Sequence, residues 1–263
     1  MEKKRCPSVF VRVSSGVTMK LAKLGEGPEI FHTIQGEGVS AGCPAVFVRA
    51  SLCNLHCVWC DTDHTWNFEG TPWKHERDTK HRKDDVIIEL EPSEIAERIL
   101  AFNCPRVVIT GGEPLLQETG FLEMIGRIRE TMPDCVFEVE TNGTRIPSPA
   151  FAEAVDQFNV SPKLTNSGME EALRLNSDAL SFFAASPKAW FKFVVSAPAD
   201  LAEIQTIRTR FEIPASRVLL MPEGRTAAQL DRSAEWLAGI CRDLGFRFCD
   251  RLHVRIWGDK RGV

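Results

Sequence analysis

Three cysteines near the start of the chain, Cys53, Cys57 and Cys60, have the spacing C-x3-C-x2-C. Their thiolates are soft ligands, which favour zinc or an iron–sulfur cluster. Structural zinc normally takes four protein ligands from two paired knuckles. No second C-x2-C follows here, although His56 or His64 could complete a zinc site. Three thiolates without an obvious fourth suit a four-iron cluster that leaves one iron open to an external ligand, and we expect this chemistry.

The other cysteines show no such spacing. The chain has nine cysteines, an odd number, and the charged Met1–Arg5 is not followed by an apolar stretch of signal-peptide type, so a disulfide framework is not expected. We expect each scattered cysteine to be a small buried apolar residue. These residues are Cys6, Cys43, Cys104, Cys135, Cys241 and Cys249.

Composition limits the classes of function. The 263 residues suit one large α/β domain or a barrel better than two independent domains. With 43% hydrophobic and 26% charged residues, the chain can bury a substantial core. The net charge of −4 gives no bulk attraction to nucleic acid, and no apolar run approaches the roughly 20 residues that span a membrane. We therefore expect a cytoplasmic protein that binds neither nucleic acid nor a membrane.

Short apolar runs alternate with helical patterns along the chain. The alternation of strand and helix implies parallel strands joined by right-handed crossovers. The predicted strands are Ala45–Ala50, Arg106–Thr110, Val136–Val139, Phe158–Val160, Ala189–Val195, Arg217–Met221 and Leu252–Trp257. The predicted helices are Pro92–Phe102, Phe121–Thr131, Phe151–Val155, Ala199–Arg210 and Ala227–Leu244.

The length of the chain decides between barrel types. A full eight-unit barrel takes about 250 residues, and the N-terminal segment and the polar stretch His64–Asp85 use part of the chain. We therefore predict an α/β fold with a partial (β/α)6 TIM-type barrel; an open doubly wound sheet is the alternative. Both architectures place the active site at the carboxyl ends of the strands. There the cysteine loop follows Ala45–Ala50, and Thr110–Pro114 continues from Arg106–Thr110.

The cysteine spacing resembles the signature of radical S-adenosylmethionine (SAM) enzymes, and Trp59 fills the aromatic position before the third cysteine. The resemblance implies the partial barrel of that superfamily, a [4Fe–4S] cluster on Cys53, Cys57 and Cys60, and SAM bound to the open iron. One electron then splits the sulfonium bond and yields a 5′-deoxyadenosyl radical. The cofactors carry this chemistry, and the protein holds, orients and shields them.

Further motifs resemble the SAM-binding parts of this superfamily. Thr110–Pro114 resembles the GGE motif, in which backbone groups and the glutamate receive the SAM ammonium; a tight turn is the plain alternative. Side chains at the ends of later strands could reach the ribose or carboxylate of SAM, although a lysine there could also be an ordinary exposed surface residue. The SAM-binding residues that the resemblance implies are Trp59, Asp61, Gly111, Gly112, Glu113, Glu140, Asn142, Ser161 and Lys163.

The N-terminal motifs indicate one particular family within this superfamily. Phe31–Gly38, Gly42–Arg49 and Asp61–Asp63 closely resemble 7-carboxy-7-deazaguanine synthases, and the resemblance continues to His253–Trp257 and the Arg261–Val263 terminus. It implies conversion of 6-carboxy-5,6,7,8-tetrahydropterin to 7-carboxy-7-deazaguanine with loss of ammonia, on the route to queuosine and related deazapurines. It also implies hydrogen abstraction at C6, radical ring contraction, regeneration of SAM, a Mg²⁺ ion and a homodimer. An electron donor such as flavodoxin or ferredoxin is required by the chemistry.

The residues fit the substrate that the resemblance implies. Arg49 could pair with its carboxylate in bidentate fashion, unless the side chain points outward to the surface. Thr62 offers a hard oxygen for Mg²⁺, unless its hydroxyl only forms a turn. An ordinary polar turn is the alternative for the Q-G-E motif. The substrate-binding residues expected are Ile34, Gln35, Gly36, Glu37, Arg49, Thr110 and Val263.

We expect residues 1–263 to be a single radical SAM domain with an N-terminal substrate-binding segment at about 28–49. The polar stretch at about 64–85 is predicted to be an inserted surface loop, either solvated or acting as a lid. Two other functions stay open. One is a glycyl-radical activating enzyme, which shares the cysteine spacing and the glycine turn but acts on a protein. The other is a non-enzymatic zinc-binding module.

Overall fold

The computed structural model describes residues 16–263, in which helices follow most strands of one large, mostly parallel sheet. The strands are β1 Met19–Leu24, β2 Gly27–Pro28, β3 Ile30–Ile34, β4 Pro44–Ala50, β5 Ile87–Leu90, β6 Arg106–Gly111, β7 Val136–Thr141, β8 Gln157–Val160, β9 Ala189–Val195, β10 Val218–Pro222 and β11 Arg247–Phe248. The helices are α1 Lys83–Val86, α2 Pro92–Leu100, α3 Glu118–Thr131, α4 Pro149–Ala154, α5 Glu171–Arg174, α6 Ser177–Ala185, α7 Asp200–Arg210, α8 Ala227–Leu244 and α9 Leu252–Trp257.

The strand order is β11-β10-β9-β8-β7-β6-β4-β1-β2, with β3 paired to β4 and β5 paired to β1. From β4 to β11 neighbouring strands are parallel, as the strand–helix alternation predicts. The strands β1, β2, β3 and β5 pair in antiparallel fashion and were not predicted. The sheet does not close, which agrees with the predicted partial barrel. No helix within residues 16–263 is long and apolar enough to span a bilayer.

Local sequence signals explain where the main helices begin and end. At the start of α2, Glu91 and Glu94 form a capping box and Pro92 occupies the first turn. The Thr226 side chain caps α8 by accepting from the Gln229 amide, and Gly245 ends this helix in the left-handed conformation. The apolar faces of these helices pack on the sheet. Fully buried phenylalanines form much of this core: Phe121, Phe137, Phe151, Phe158, Phe183, Phe191 and Phe193.

The predicted strand Leu252–Trp257 is wrong, because these residues form the helix α9. A strand would bury alternate residues, but Ile256 is 51% exposed and only Val254 is buried. The place beside β10 is already taken by β11. A six-residue apolar run does not distinguish helix from strand by its pattern alone.

The polar stretch His64–Asp85 lacks long elements, as expected of a loop, but its first part is not a solvated surface. Trp66, Asn67 and Phe68 are buried, and so is His75. The amide and carbonyl groups are paired with one another, for example the Glu69 amide with the His81 carbonyl at 3.0 Å. Exposed residues begin at Glu69. The aromatic residues Trp66 and Phe68 account for the burial of the first part. The many charged residues of the stretch had instead indicated a solvated loop.

The prediction that scattered cysteines are buried is confirmed at Cys104, Cys135, Cys241 and Cys249. It is wrong for Cys43, which is half-buried in the loop that leads into β4. That loop lies at the surface, so the thiol has only one side to pack against. Cys6 lies outside the described residues.

Candidate functional site

The cysteine loop begins where β4 ends, beside the glycine turn that ends β6. These strands are parallel neighbours, with Ala50 opposite Gly111. The Gly112 amide donates to the Ala50 carbonyl at 3.0 Å, and the Glu113 amide donates to the Leu52 carbonyl at 2.9 Å. A Cβ on Gly112 would lie 1.9 Å from the Leu52 oxygen, and Gly111 has a φ of +119°. Glycine is required here because two backbones meet, and not only because a ligand approaches.

The three cysteines lie on the wall of one cavity and are free thiols. Burial raises the pKa of each thiol, to about 12 for Cys57, where the Lys163 ammonium acts in the opposite direction. Binding of a metal deprotonates such thiols and takes up their charge. Within residues 16–263, no three His, Cys, Asp or Glu side chains converge on a single ion. A four-iron cluster binds each thiolate through a different iron, so this donor set fits the cluster.

The residues predicted for the site converge on this cavity, whose volume is about 260 Å³. For the cluster and SAM, the lining residues are Cys53, Cys57, Trp59, Cys60, Asp61, Gly111, Gly112, Glu140, Asn142, Ser161 and Lys163. For the substrate and Mg²⁺, they are Ile34, Gln35, Gly36, Glu37, Arg49, Thr62, Thr110 and Val263. All the predicted site residues lie within the described part of the chain. All of them except Glu113 line the cavity.

Glu113 is fully buried, and its carboxylate is used within the protein. One oxygen accepts from the Thr141 hydroxyl at 2.9 Å and the Leu115 amide at 3.1 Å, and the other accepts from the Asn142 amide at 2.8 Å. Burial raises the pKa of Glu113, while the amides of Asn142 and Leu115 act in the opposite direction. The side chain joins the ends of β6 and β7, and its predicted contact with SAM stays a prediction.

The end of β8 contributes a lysine that is not a surface residue. The Nζ atom of Lys163 donates to the Ser161 hydroxyl at 2.9 Å and lies 5.7 Å from the centroid of the Trp59 ring. The indole N–H of Trp59 donates to the Asn166 carbonyl at 3.0 Å, which fixes the ring. An aromatic face, a hydroxyl and an ammonium therefore meet beside Cys57, a combination that suits an adenosine bearing a carboxylate.

Arg49 lines the cavity, which excludes an outward surface position. Its Nε donates to Glu29 at 2.8 Å. Glu29 is fully buried, also pairs with Arg261, and lies 3.3 Å from His64. Burial alone would raise the pKa of Glu29, but Arg49, His64 and Arg261 outweigh it and hold the pKa well below its usual range. The terminal nitrogens of Arg49 form no hydrogen bond within residues 16–263, which leaves them to an anionic ligand.

Five alternating charges form a row along the cavity wall. Lys192 contacts Glu140 at 2.8 Å and Glu37 at 2.5 Å, Glu37 contacts Arg251 at 3.0 Å, and Arg251 pairs with Asp61. Burial would raise the pKa of Glu37, but Lys192 and Arg251 outweigh it and hold the pKa well below its usual range. For Asp61 burial likewise opposes Arg251, and the pKa is lowered to about 2. Lys192 and Arg251 are buried, and buried charges require such partners because desolvation of an unpaired ion is costly.

Several charged or titratable residues of the cavity were not predicted as site residues, among them Glu29, Lys192, Arg251 and His253. Lys192 had a usable signal, because it is a lone cation within the apolar run of β9. The others have no local signal, since their partners are far away in the chain. His253, for example, packs against Gly36, which is far away in the chain: a Cβ on Gly36 would lie 2.1 Å from Nδ1 of His253.

Comparison with known proteins agrees with this geometry. The model of the radical SAM superfamily matches residues 48–175. The 7-carboxy-7-deazaguanine synthase of Pyrobaculum aerophilum is 36% identical, over 89% of this chain and 95% of the relative. The enzyme of the same name from Halobacterium salinarum is 35% identical, over 94% and 98%. The crystal structure of QueE from Escherichia coli has the same fold, with a TM-score of 0.64, 22% identity and coverage of 90% and 95%.

The fold and the cysteine site thus define a radical SAM enzyme, a class whose members hold a [4Fe–4S] cluster and SAM. Within that class the chain belongs to the 7-carboxy-7-deazaguanine synthase family, whose members are lyases. This membership favours the partial barrel over an open doubly wound sheet. It also disfavours a glycyl-radical activating enzyme and a zinc-binding module.

Proposed function

We propose that this protein converts 6-carboxy-5,6,7,8-tetrahydropterin to 7-carboxy-7-deazaguanine with loss of ammonia, in the biosynthesis of queuosine and related deazapurines. One observation carries the proposal: the cavity that contains the three cysteines is also lined by Arg49, Gln35 and Glu37. The names of the relatives support the product. A carboxylated pterin offers one anionic group and one edge rich in donors and acceptors, and the cavity contains groups for both.

The cysteines Cys53, Cys57 and Cys60 are proposed to hold the cluster. When bound, the cluster and SAM supply the one-electron cleavage that starts hydrogen abstraction from the substrate. Trp59 presents a ring face to the adenine, and Lys163 presents an ammonium to an anionic group of SAM. The glycine turn presents backbone groups, and the further SAM contacts proposed are Asp61, Gly111, Gly112, Glu113, Glu140, Asn142 and Ser161.

Arg49 is proposed to bind the substrate carboxylate through its terminal nitrogens, because its Nε is already held by Glu29. Glu37 is proposed to accept from the N–H groups of the pterin edge. The cations beside it keep it ionised, which supports this role, since a carboxylate only accepts hydrogen bonds. Further substrate contacts are proposed for Ile34, Gln35, Gly36, Thr110 and Val263.

We propose that Thr62 provides one ligand of a Mg²⁺ ion beside the substrate, because Thr62 lines the cavity and Mg²⁺ prefers oxygen ligands. A flavodoxin or ferredoxin is proposed as the electron donor, because the cleavage of SAM needs a low-potential electron. We further propose a cytoplasmic homodimer on the resemblance alone. Residues 1–263 are proposed as one radical SAM domain, with residues 28–49 as its substrate-binding segment and residues 64–85 as an insertion.

An anaerobic turnover assay tests the proposal. Protein reconstituted with iron and sulfide is mixed with a chemical reductant, SAM, Mg²⁺ and the carboxylated tetrahydropterin. We expect a product with the mass and absorbance of 7-carboxy-7-deazaguanine. Deoxyadenosine without that product would contradict the proposed substrate while leaving the radical chemistry intact.

The role of Arg49 is tested by substitution. Arg49→Ala should weaken pterin binding by about 2–5 kcal/mol, because it removes one partner of a buried charge pair. Arg49→Lys keeps the charge but not the fork of donors, so its loss should be smaller. The measurement is equilibrium binding of the pterin to reconstituted protein. Native affinity in Arg49→Ala would remove this residue from the substrate site.

A further inference from the structure

Two residues of the polar stretch, His75 and Glu76, contact the turn that ends at Cys60. The Glu76 amide donates to the Val58 carbonyl at 2.9 Å. The Nε2 atom of His75 lies 2.8 Å from the Cys60 carbonyl. The Nδ1 atom of the same ring accepts from the Arg77 amide at 3.2 Å, so Nε2 carries the hydrogen and donates. The turn is therefore held by a segment that lies outside it.

Arg225, which follows β10, reaches the same turn from another part of the chain. Its Nη2 atom donates to the carbonyls of Trp59 and Cys60, each at 2.9 Å. It also lies 2.9 Å from the Glu76 carboxylate, which joins the two outside contacts to each other. The Arg225 side chain is only 10% exposed, so its bonds to the two carbonyls are largely shielded from water, whereas the Glu76 side chain is 48% exposed. Every carbonyl from Val58 to Cys60 thus has a donor from outside the turn.

A buried indole, that of Trp66, lines the same cavity as Cys60. The Nε1 atom of Trp66 is buried and has no hydrogen-bond partner among residues 16–263. The Trp66 ring contacts the edge of the His75 ring, with centroids 6.0 Å apart. An N–H donor at a cluster sulfur stabilises the thiolate and influences the cluster potential.

We propose that these outside contacts form a brace that folds the cysteine turn into its ligand conformation before the cluster is present. The brace consists of Trp66, His75, Glu76 and Arg225. This gives the polar stretch a positioning role rather than that of a solvated loop. The brace proposal depends on the proposed function in one respect only: both take the three cysteines as cluster ligands. A rigid cube needs its thiolates at fixed places, and a turn that is already ordered loses little conformational entropy on binding.

Hydrogen–deuterium exchange of the cluster-free protein tests the brace without any cofactor. His75→Ala removes one donor, and we expect amides of residues 53–62 to exchange about fivefold faster, which corresponds to about 1 kcal/mol. His75→Gln retains a side-chain N–H and should restore part of the protection. Lys74→Ala changes an exposed side chain of the same segment and should exchange like the native protein.

Two further variants test different parts of the brace. Arg225→Met tests its bonds to the backbone of the turn, and Trp66→Phe tests the indole N–H. Arg225→Met should increase exchange in the cysteine turn more than His75→Ala, because two carbonyls lose their donor. Trp66→Phe retains a ring but loses the N–H, so it should change the electron paramagnetic resonance signal of the reduced, reconstituted cluster. If His75→Ala does not fold, Arg225→Lys replaces it, since the lysine side chain is shorter and does not bring its ammonium to the position of Nη2.

Native exchange rates in both His75→Ala and Arg225→Met, or in Arg225→Lys where the alanine variant is unfolded, would overturn the proposal. An unchanged spectrum in Trp66→Phe would remove Trp66 from the brace. Failure of the turnover assay would leave the exchange result intact, because exchange is measured on cluster-free protein. The two hypotheses can therefore fail separately.

Discussion

Lys192 is a single ammonium within an apolar strand, held between carboxylates from two other parts of the chain. Its Nζ atom lies 2.5 Å from Glu37 and 2.8 Å from Glu140. Burial would lower the pKa of Lys192, but the two carboxylates outweigh it and raise the pKa above its usual value. The lysine therefore stays charged and fixes the position of the Glu37 carboxylate.

Replacing this ammonium with an apolar group of similar length should separate binding from cluster assembly. Lys192→Met leaves Glu37 without one of its cations, so we expect the KM for the pterin to rise about tenfold or more. The absorbance of the reconstituted cluster should not change, because no cysteine is touched. The matched control is Lys20→Met, which removes an exposed ion pair with Glu89. An unchanged KM in Lys192→Met would exclude the positioning role.

The pairing of Glu29 makes the stability of the protein depend on pH. Its pKa is lower in the folded protein than its ordinary value of 4.5, so the unfolded chain takes up the proton first. The stabilisation is complete above about pH 4.5 and is lost as the pH falls below that value. Glu29→Gln should reduce the free energy of unfolding by about 3 kcal/mol at neutral pH, because Arg49 loses its buried partner.

Urea denaturation of the cluster-free protein between about pH 7 and about pH 3 measures this effect. The difference between native protein and Glu29→Gln should shrink as the pH falls. Glu153→Gln, at an exposed position, serves as the control. A difference that stays constant over the whole range would show that Glu29 does not carry the pH dependence.

At the scale of elements, the glycine turn after β6 fixes the cysteine loop against β4. A Cβ on Gly112 would meet the Leu52 carbonyl, a backbone atom that cannot swing away. Gly112→Ala should therefore cost about 1–3 kcal/mol of stability and weaken cluster uptake. The control is Gly126→Ala in α3, where no atom lies within 4 Å of the added Cβ. Equal unfolding free energies of the two variants would contradict this account of the turn.

Elements with strong apolar patterns were predictable, and short or half-exposed ones were not. β9 and α8 are long and regular, so their bounds agree closely with the prediction. β3 has no fully buried residue and gave no signal, although it lies within the segment proposed to bind substrate. The helix α9 was mistaken for a strand because it is only six residues long and is set by contacts, such as the bond from the Leu252 amide to the Gly36 carbonyl.

At the scale of the whole molecule, the site is assembled from segments far apart in sequence. Arg251 lies 190 positions from Asp61 and 214 from Glu37, yet it contacts both. Motifs that resemble a known family named in advance many of the residues that line the cavity, though fewer than half of them. The ion pairs between those residues could not be predicted, because they depend on how the two ends of the chain meet across the sheet.

We propose that Cys53, Cys57 and Cys60 hold one [4Fe–4S] cluster in the same cavity that is proposed to bind substrate. The most direct measurement is iron and sulfide analysis, with reductive SAM cleavage, of anaerobically reconstituted native protein and Cys57→Ala. Cys241→Ala, which changes a buried cysteine of the core, is the control. We predict one cluster per chain and SAM cleavage in the native and control proteins and neither in Cys57→Ala. A Cys57→Ala protein that retains both, or a native protein that takes up no cluster, would contradict the account.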